Sequence, residues 1–173
     1  MKNILTTGCR CIYLLFIALI LVSTPVNVNA EEVHYQEEEE KLKAAFYRYY
    51  TDEDIDLLAR LMYAEVGVFL QTMNEEDAKE AFMLTGSVVL NRWNNPNLGW
   101  DDLEAVIYAE GQYQCVSNGS INNTPPEEVY EWAEELLQSG PIGPENMIFQ
   151  SQFIQGTSIY KKIGNTYFCC KDV

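Results

Sequence analysis

The spacing of hydrophobic residues predicts an amphipathic helix over residues 54–66. Apolar side chains recur there at intervals of three and four residues, which places them on one face of an α-helix. Thr51 or Asp52 can serve as the N-cap, and Gly67 is positioned to end the helix. The predicted buried face consists of Ile55, Leu58, Ala59, Met62 and Val66.

A second helix is predicted from about residue 75 to residue 92. Asn74 is its expected N-cap, acidic residues fill its first turn, and Pro96 follows shortly after its end. The predicted buried face consists of Ala78, Ala81, Phe82, Thr85, Val88 and Val89.

Two further helices are predicted in the middle of the chain. A short one covers residues 101–109. A longer one has Thr124 as its N-cap and Pro125 at its first position, and it ends at Gly140. Its predicted buried face consists of Val129, Trp132, Ala133 and Leu136.

Short runs rich in aromatic and β-branched residues follow at 147–153, 158–162 and 166–170. Gly156 and Gly164 interrupt these runs, which is typical of strands joined by turns. The sequence therefore predicts a small antiparallel sheet of two or three strands at the C-terminal end. The fold class is α+β, with helices dominating.

The N-terminal residues have the layout of a secretory signal peptide, predicted to cover residues 1–30. Lys2 and Arg10 precede an apolar run at 12–22. Small residues then lead to a predicted cleavage site after Ala30. This run falls short of the roughly 20 residues that span a bilayer. We expect a secreted protein with no stable membrane partner after cleavage. The alternative is an uncleaved N-terminal membrane anchor.

Composition and charge limit the classes of function. The 173 residues suffice for one domain, placed at 54–173 after an acidic spacer at 31–53. A net charge of −15 disfavours nucleic acid as a partner, because phosphate backbones repel an acidic surface. His34, in the spacer, is the only histidine, which disfavours a His-rich zinc site, a Ser-His-Asp triad or a Cys-His pair. We expect a monomer that uses no metal or cofactor.

Three cysteines follow the predicted cleavage site. Cys169 and Cys170 are adjacent, so on a strand they point to opposite faces and only one of them can approach Cys115. A disulfide from Cys115 to one of the pair is one prediction. The alternative is that all three are reduced thiols or small buried hydrophobic residues.

Most acidic residues lie in acidic runs or on the polar faces of predicted helices. Glu65 has a different position. It lies beside Leu58 and Leu61 at the margin of the buried face, in the last turn of the first predicted helix. Partial burial and the helix dipole both favour the neutral form and raise its pKa. A carboxylic acid that stays protonated is what a general acid at a glycosidic oxygen requires. The alternative is an ordinary surface residue at a helix end.

Short motifs occur in order along nearly the whole predicted domain. They are DLLARLMYAE at 56–65, GSVVLNR at 86–92, Val106-Ile107, GQYQCV at 111–116, GSI at 119–121, Phe149-Gln150 and IGNTYF at 163–168. Over about residues 54–170, this arrangement resembles the SleB/CwlJ-like cell wall hydrolases. That family acts on peptidoglycan and is best known for degrading spore cortex at germination. The segment 66–79 departs from the family pattern, since it is longer than the usual link after the first helix.

The resemblance implies a mainly helical, lysozyme-like or resuscitation-factor-like muralytic domain with Glu65 as its catalytic residue. It implies cleavage of the glycan strand between muramic acid and N-acetylglucosamine by a lytic transglycosylase, which needs one acid. A true hydrolase needs a second carboxylate. Glu80 is the candidate, since Lys79-Glu80-Ala81 aligns with an acid-containing stretch of the family; the alternative is that Glu80 faces solvent.

Aromatic, amide and guanidinium groups near these motifs are predicted to contact the glycan, because sugars stack on rings and hydrogen-bond through their hydroxyls. The candidates are Tyr63, Asn91, Arg92, Gln112, Tyr113, Gln114 and Phe149. Alternatively, Asn91 and Arg92 brace the end of the second helix and Tyr63 belongs to the core. Two other functions remain open: a non-catalytic wall-binding or germination accessory protein, and an amidase or peptidase, which the lack of a domain histidine disfavours.

Overall fold

The computed structural model describes residues 50–171. The predicted signal peptide and most of the predicted spacer lie outside these residues. The helices are α1 (Asp52–Val66), α2 (Phe69–Thr72), α3 (Glu75–Asn94), α4 (Leu103–Tyr108), α5 (Gln114–Asn118) and α6 (Glu127–Ser139), with a 3₁₀ turn at Ser120–Asn122. The strands are β1 (Met147–Ser151), β2 (Ser158–Ile163) and β3 (Thr166–Cys170).

A capping box fixes the start of α1. The backbone N–H of Asp54 donates to the Thr51 hydroxyl at 3.2 Å, and the Thr51 N–H donates to the Asp54 carboxylate at 2.9 Å. Gly67 ends the helix, with its N–H donating to the Tyr63 carbonyl. The predicted cap at Thr51 and the predicted end at Gly67 are confirmed, and the helix starts at Asp52, two residues before the predicted range. Of the predicted buried face, Ile55 is half-buried and the other four residues are buried.

Helix α3 is the central element of the fold. Asn74 caps it as predicted, and every residue of the predicted inner face is buried. From Ala81 to Trp93 all of its residues are buried, because α1, α6 and β1 pack around it. Gly86 allows the closest approach: a β-carbon there would lie 2.5 Å from Leu136 of α6 and 3.0 Å from Met62 of α1.

The predicted start of α6 is wrong by two residues. The helix begins at Glu127 with Pro126 as its N-cap, whereas Thr124 was expected to cap it. The second proline explains the difference, because a residue that precedes proline is kept out of the helical region, so Pro125 cannot begin the helix. Gly140 ends α6 as predicted, and the predicted buried face is confirmed.

The sheet has three antiparallel strands in the order β1-β3-β2, which confirms the predicted α+β class. β1 ends at Ser151, two residues earlier than predicted, and β2 extends to Ile163. β1 packs on α3, and Phe168 of the central strand is fully buried. Among residues 50–171, no helix is both long and apolar enough to cross a membrane.

Candidate active site

Glu65 is the penultimate residue of α1 and is half-buried there. Burial raises the pKa of its carboxyl above the ordinary value of 4.5, because a charged carboxylate loses solvation. Two neighbours act in the opposite direction and lower this pKa: the polar thiol of Cys115 and the positive charge of Arg92. The environment of Glu65 therefore favours a protonated acid that a nearby thiol and a nearby cation can still help to ionise.

Cys115 lies in the first turn of α5, close enough to Glu65 for the two side chains to shift each other's pKa. The residue is only 3% exposed and belongs to the hydrophobic core. Burial, followed by the charge of Glu65, raises the pKa of the Cys115 thiol to about 12. At neutral pH this side chain is therefore a protonated thiol and not a thiolate.

Arg92, near the end of α3, brings a buried positive charge to the same place. Its Nε donates to the Ile148 carbonyl at 2.7 Å, and its guanidinium carbon lies 5.2 Å from the centre of the Tyr113 ring. Within residues 50–171, neither Nη1 of Arg92 nor the buried Tyr113 hydroxyl has a hydrogen-bonding partner. Burial raises the pKa of Tyr113 to about 12, so its phenol stays neutral.

These four side chains form what we call the Glu65 cluster: Glu65, Arg92, Tyr113 and Cys115. They come from the ends of α1 and α3 and from the start of α5. The first three are site residues predicted from the sequence. Cys115 was predicted only as a disulfide or packing residue, although the GQYQCV segment places it two positions after Tyr113.

Asn91 has a different environment from Arg92. It is 4% exposed, and its side-chain amide donates to the carbonyls of Pro144 and Met147, each at 3.0 Å. Both amide hydrogens are therefore used within the protein, where they hold the start of β1 on α3. This arrangement favours the alternative in which Asn91 braces the second predicted helix.

The remaining predicted glycan contacts lie on partly open surfaces. Tyr63 is half-buried and its ring covers Gly67, where a β-carbon would come within 2.7 Å of it. Gln112 and Gln114 are exposed on either side of Tyr113. Phe149 of β1 is half-buried, and its ring packs beside Gly156.

Glu80 makes an ion pair at the protein surface. Its Oε2 lies 2.6 Å from Nζ of Lys161 on β2, and the two side chains are 35% and 43% exposed. Among the described residues, the groups that shift the pKa of Glu65 are Cys115 and Arg92, and no carboxylate is one of them. The structure thus does not bring Glu80 into the Glu65 cluster.

The thiols of Cys115 and Cys169 form no disulfide, and both residues are buried. The predicted bridge from Cys115 to one of the adjacent cysteines is therefore not formed in this structure. In a core position of this kind, the thiol behaves as a small hydrophobic side chain with a weak donor.

Comparison with protein families gives one match. A model described as Cell Wall Hydrolase matches residues 76–169, which is more than half of the chain. The matched range runs from the first turn of α3 into β3, so it includes Arg92, Tyr113 and Cys115, and it begins after Glu65. Comparisons with curated proteins and with solved structures gave no match.

Proposed function

Because the chain belongs to the cell wall hydrolase family, whose substrate is peptidoglycan, we propose that it is a secreted lytic transglycosylase. In this proposal the enzyme cleaves the glycan strand between muramic acid and N-acetylglucosamine. Glu65 acts first as the general acid and then as the general base. Spore cortex is the form of peptidoglycan that the SleB/CwlJ-like resemblance suggests.

The proposed reaction uses one carboxyl group twice. The protonated Glu65 gives its proton to the glycosidic oxygen, and the bond from C1 of muramic acid to that oxygen breaks. The resulting Glu65 carboxylate then takes the proton from the 6-hydroxyl of the same sugar, while that oxygen bonds to C1. The product is a 1,6-anhydro ring, Glu65 regains its proton, and no water is consumed.

The observation that carries the proposal is the environment of Glu65. A general acid must hold its proton near the working pH, and burial raises the pKa of this carboxyl in the required direction. A hydrolase would need a second carboxylate to act as nucleophile or to activate water. Among residues 50–171, the groups that shift the pKa of Glu65 include no carboxylate. Glu80, the candidate for a second carboxylate, forms an ion pair with Lys161.

We propose that the glycan lies along the open side of the Glu65 cluster. Nη1 of Arg92 and the Tyr113 hydroxyl have no partner within residues 50–171 and are buried beneath this side, so they bind sugar hydroxyl or amide groups only if the glycan displaces what covers them. The exposed amides of Gln112 and Gln114 flank them, and Tyr63 next to the acid supplies an aromatic surface. Phe149 extends this surface from β1, whose position Asn91 fixes.

The test is digestion of purified peptidoglycan, with the products identified by mass spectrometry. The wild-type protein should release muropeptides that end in 1,6-anhydromuramic acid. Glu65→Gln is nearly isosteric but cannot donate the proton, so it should lower the rate by roughly 10²–10⁴-fold. Its circular dichroism spectrum and its sedimentation with peptidoglycan should match the wild type. A variant that keeps a tenth of wild-type activity would contradict the role of Glu65.

The same digestion separates the competing functions. Reducing muramic acid ends would indicate hydrolysis, and new amino groups would indicate an amidase or peptidase. Sedimentation with peptidoglycan but without cleavage would indicate a wall-binding or germination accessory protein.

A further inference from the structure

The C-terminal sheet differs in charge from the helical part of the domain. Between Glu145 and Asp172 the sequence has three lysines and no acidic residue, so all 26 acidic residues of the chain lie outside the sheet and its loops. In a protein with a net charge of −15, this segment is a part of the domain that an anionic partner can approach without repulsion.

Exposed apolar side chains are concentrated in the same segment. Among residues 50–171, six large hydrophobic residues are exposed, and four of them lie between residues 153 and 160. Exposed apolar groups that lie together mark a binding surface more often than scattered ones do. We call this region the sheet-edge surface, and it comprises Phe153, Ile154, Ile159, Tyr160 and Lys171.

Backbone contacts bring the parts of this surface to one end of the sheet. Gly156 lies directly against the Cys170 carbonyl, where a β-carbon would overlap that oxygen. The Thr157 N–H donates to the same carbonyl at 2.9 Å. The loop that carries Phe153, the start of β2 and Lys171 after the end of β3 are therefore held close together.

The backbone at Phe153 and the ring of Tyr160 are both held in place. The Ser151 hydroxyl donates to the Phe153 carbonyl and accepts from the Phe153 N–H at 3.3 Å, which closes the turn after β1. The Tyr160 ring packs on Gly143, where a β-carbon would lie 3.2 Å from it. Groups that are ordered before binding lose less conformational entropy when a ligand covers them.

The three lysines of this segment differ in what they contact. Lys161 is paired with Glu80, and the ammonium of Lys162 lies 4.6 Å from the centre of the Tyr167 ring. Lys171 is exposed, and it forms no ion pair with another residue of the range 50–171. The sheet-edge surface therefore offers a positive charge beside its apolar side chains.

The edge of the sheet is not suited to pairing with a second copy of the chain. β2 is an edge strand, because the strand order is β1-β3-β2. Its register shifts between Ile159 and Lys161, and it carries two adjacent lysines. Bulges and lysines keep an exposed edge from pairing with another strand. The surface is therefore better suited to a ligand that contacts side chains.

We propose that the sheet-edge surface is a second contact with peptidoglycan, outside the Glu65 cluster, that holds the domain on the insoluble polymer. Sugar rings pack their apolar faces on Phe153 and Tyr160, and carboxylates of the stem peptides pair with Lys171. The ring of Phe149, already assigned to the glycan contacts, packs against the same loop, so one strand can reach both places. The inference rests on the proposed function for its ligand and not for the role of Glu65.

Sedimentation with insoluble peptidoglycan measures the contribution of the rings. All variants carry Glu65→Gln, so that no cleavage occurs during the assay. Phe153→Ser combined with Tyr160→Thr removes both rings. Val68→Ser combined with Tyr108→Thr is the matched control, because these are the other two exposed large hydrophobic residues in the range 50–171, and Tyr108 has the same 48% exposure as Tyr160.

We expect the Phe153/Tyr160 double variant to raise the dissociation constant about tenfold, because two exposed rings lose their contact with sugar. The control double variant should change it less than about twofold. Its helical positions lie away from the sheet-edge surface.

Two lysine variants test the charge. Lys171→Gln should raise the dissociation constant about threefold at low salt, and the difference should disappear at about 1 M salt, which screens exposed charges. Lys79→Gln removes the same charge from α3, where Lys79 pairs with Glu135, and should leave binding unchanged.

Equal dissociation constants for the double variant and its Glu65→Gln parent would overturn the proposal. A dimer in analytical ultracentrifugation that only the double variant fails to form would also overturn it, since the surface would then bind a second copy. Loss of binding to anionic lipid vesicles, with unchanged binding to peptidoglycan, would assign the surface to a membrane instead. If the double variant does not fold, Phe153→Ser alone, at the more exposed position, replaces it.

The proposed function can fail separately. A wild-type protein that cleaves no peptidoglycan, but whose binding to it still depends on Phe153 and Tyr160, would overturn the transglycosylase reaction and support the sheet-edge surface.

Discussion

Glu65 is held in a site that disfavours its charged form. Burial raises its pKa, because the charged carboxylate is better solvated in the unfolded chain than in the folded protein. At pH values where the carboxyl is ionised, the folded state therefore pays for this lost solvation. Arg92 and Cys115 offset part of this cost. Glu65, the proposed catalytic group, therefore lowers the stability of the fold at neutral pH, as expected where a site is arranged for chemistry.

Substitution of this residue should therefore raise stability in a pH-dependent way. A group with a raised pKa in the folded state favours folding below its unfolded pKa, and the advantage disappears as pH rises through the folded pKa. Glu65→Gln removes the charge, so its Tm should exceed the wild-type value by about 2–5 °C at pH 7.5 and match it at pH 3.5. Calorimetry at both pH values checks this. A lower Tm at pH 7.5 would show that the carboxylate is net stabilising.

At the scale of single residues, the sequence predicted what depends on local periodicity. The position of Glu65 at the margin of a buried helix face was enough to predict partial burial. The Cys115 contact was not predictable, because it depends on how α5, itself not predicted, packs against the end of α1. Isolated contacts between distant segments leave no periodic trace in a sequence.

At the scale of elements, the close packing of α3 depends on the missing side chain of Gly86. A β-carbon there would overlap Leu136 and press on Met62, and both of these residues are fully buried. Elsewhere in a helix, replacing glycine with alanine stabilises the structure by about 1 kcal/mol. Here the overlap should outweigh that gain.

Gly86→Ala should therefore lower the free energy of unfolding, by about 1–2 kcal/mol after the gain in helix propensity. Urea denaturation measures the difference. Glu76→Ala, at an exposed position in the first turn of the same helix, is the control and should change the free energy by less than about 0.5 kcal/mol. A more stable Gly86→Ala would mean that Leu136 and Met62 can move aside without cost.

Elements with strong local signals were predicted well. Thr51 and Asn74 cap the starts of helices through local hydrogen bonds. Gly140 ends a helix because glycine has the backbone freedom to leave it. Both kinds of signal are visible directly in the sequence. Helices α2 and α5 were missed because four or five residues are too few to display a helical period. Their existence depends on the packing of the surrounding chain.

At the scale of the whole molecule, α3 connects the helices to the sheet through long-range polar contacts. Asn91 and Arg92 donate to carbonyls at the start of β1, and Glu80 pairs with Lys161 on β2. The α+β class could be predicted from the order of helical and strand patterns. These connections could not, since each joins residues that are far apart in the chain.

The ion pair between Glu80 and Lys161 gives a test of mechanism at this scale. The pair is partly exposed, so Glu80→Gln should cost less than about 1 kcal/mol of stability. It should also reduce the rate of peptidoglycan cleavage less than about tenfold and leave anhydro ends as the product, because the proposed transglycosylase mechanism uses no second carboxylate. Muropeptide analysis measures the rate of cleavage and identifies the product, and thermal denaturation measures the stability.

Lys161→Met provides the comparison, because it breaks the same pair and keeps Glu80. If the pair is only structural, Glu80→Gln and Lys161→Met should behave alike. Lys162 is a neighbouring lysine whose ammonium lies over the Tyr167 ring, and Lys162→Met should differ little from wild type. A 10²-fold loss of rate in Glu80→Gln alone, with reducing ends in the product, would establish Glu80 as a second catalytic carboxylate.

The burial of α3 from Ala81 to Trp93 has a consequence for how the proposed active site responds to heat. Amide hydrogens from Ala81 to Trp93 should exchange with solvent only when the whole domain unfolds. Those of α5, a five-residue helix with Gln114, Ser117 and Asn118 exposed, should exchange through local opening. Arg92 thus belongs to the slowest-exchanging part of the molecule, and Cys115 to a faster one. On warming, α5 should open and carry Tyr113 and Cys115 away from the proposed site before the domain melts, so the proposed peptidoglycan cleavage should decline at temperatures at which circular dichroism still reports a folded protein.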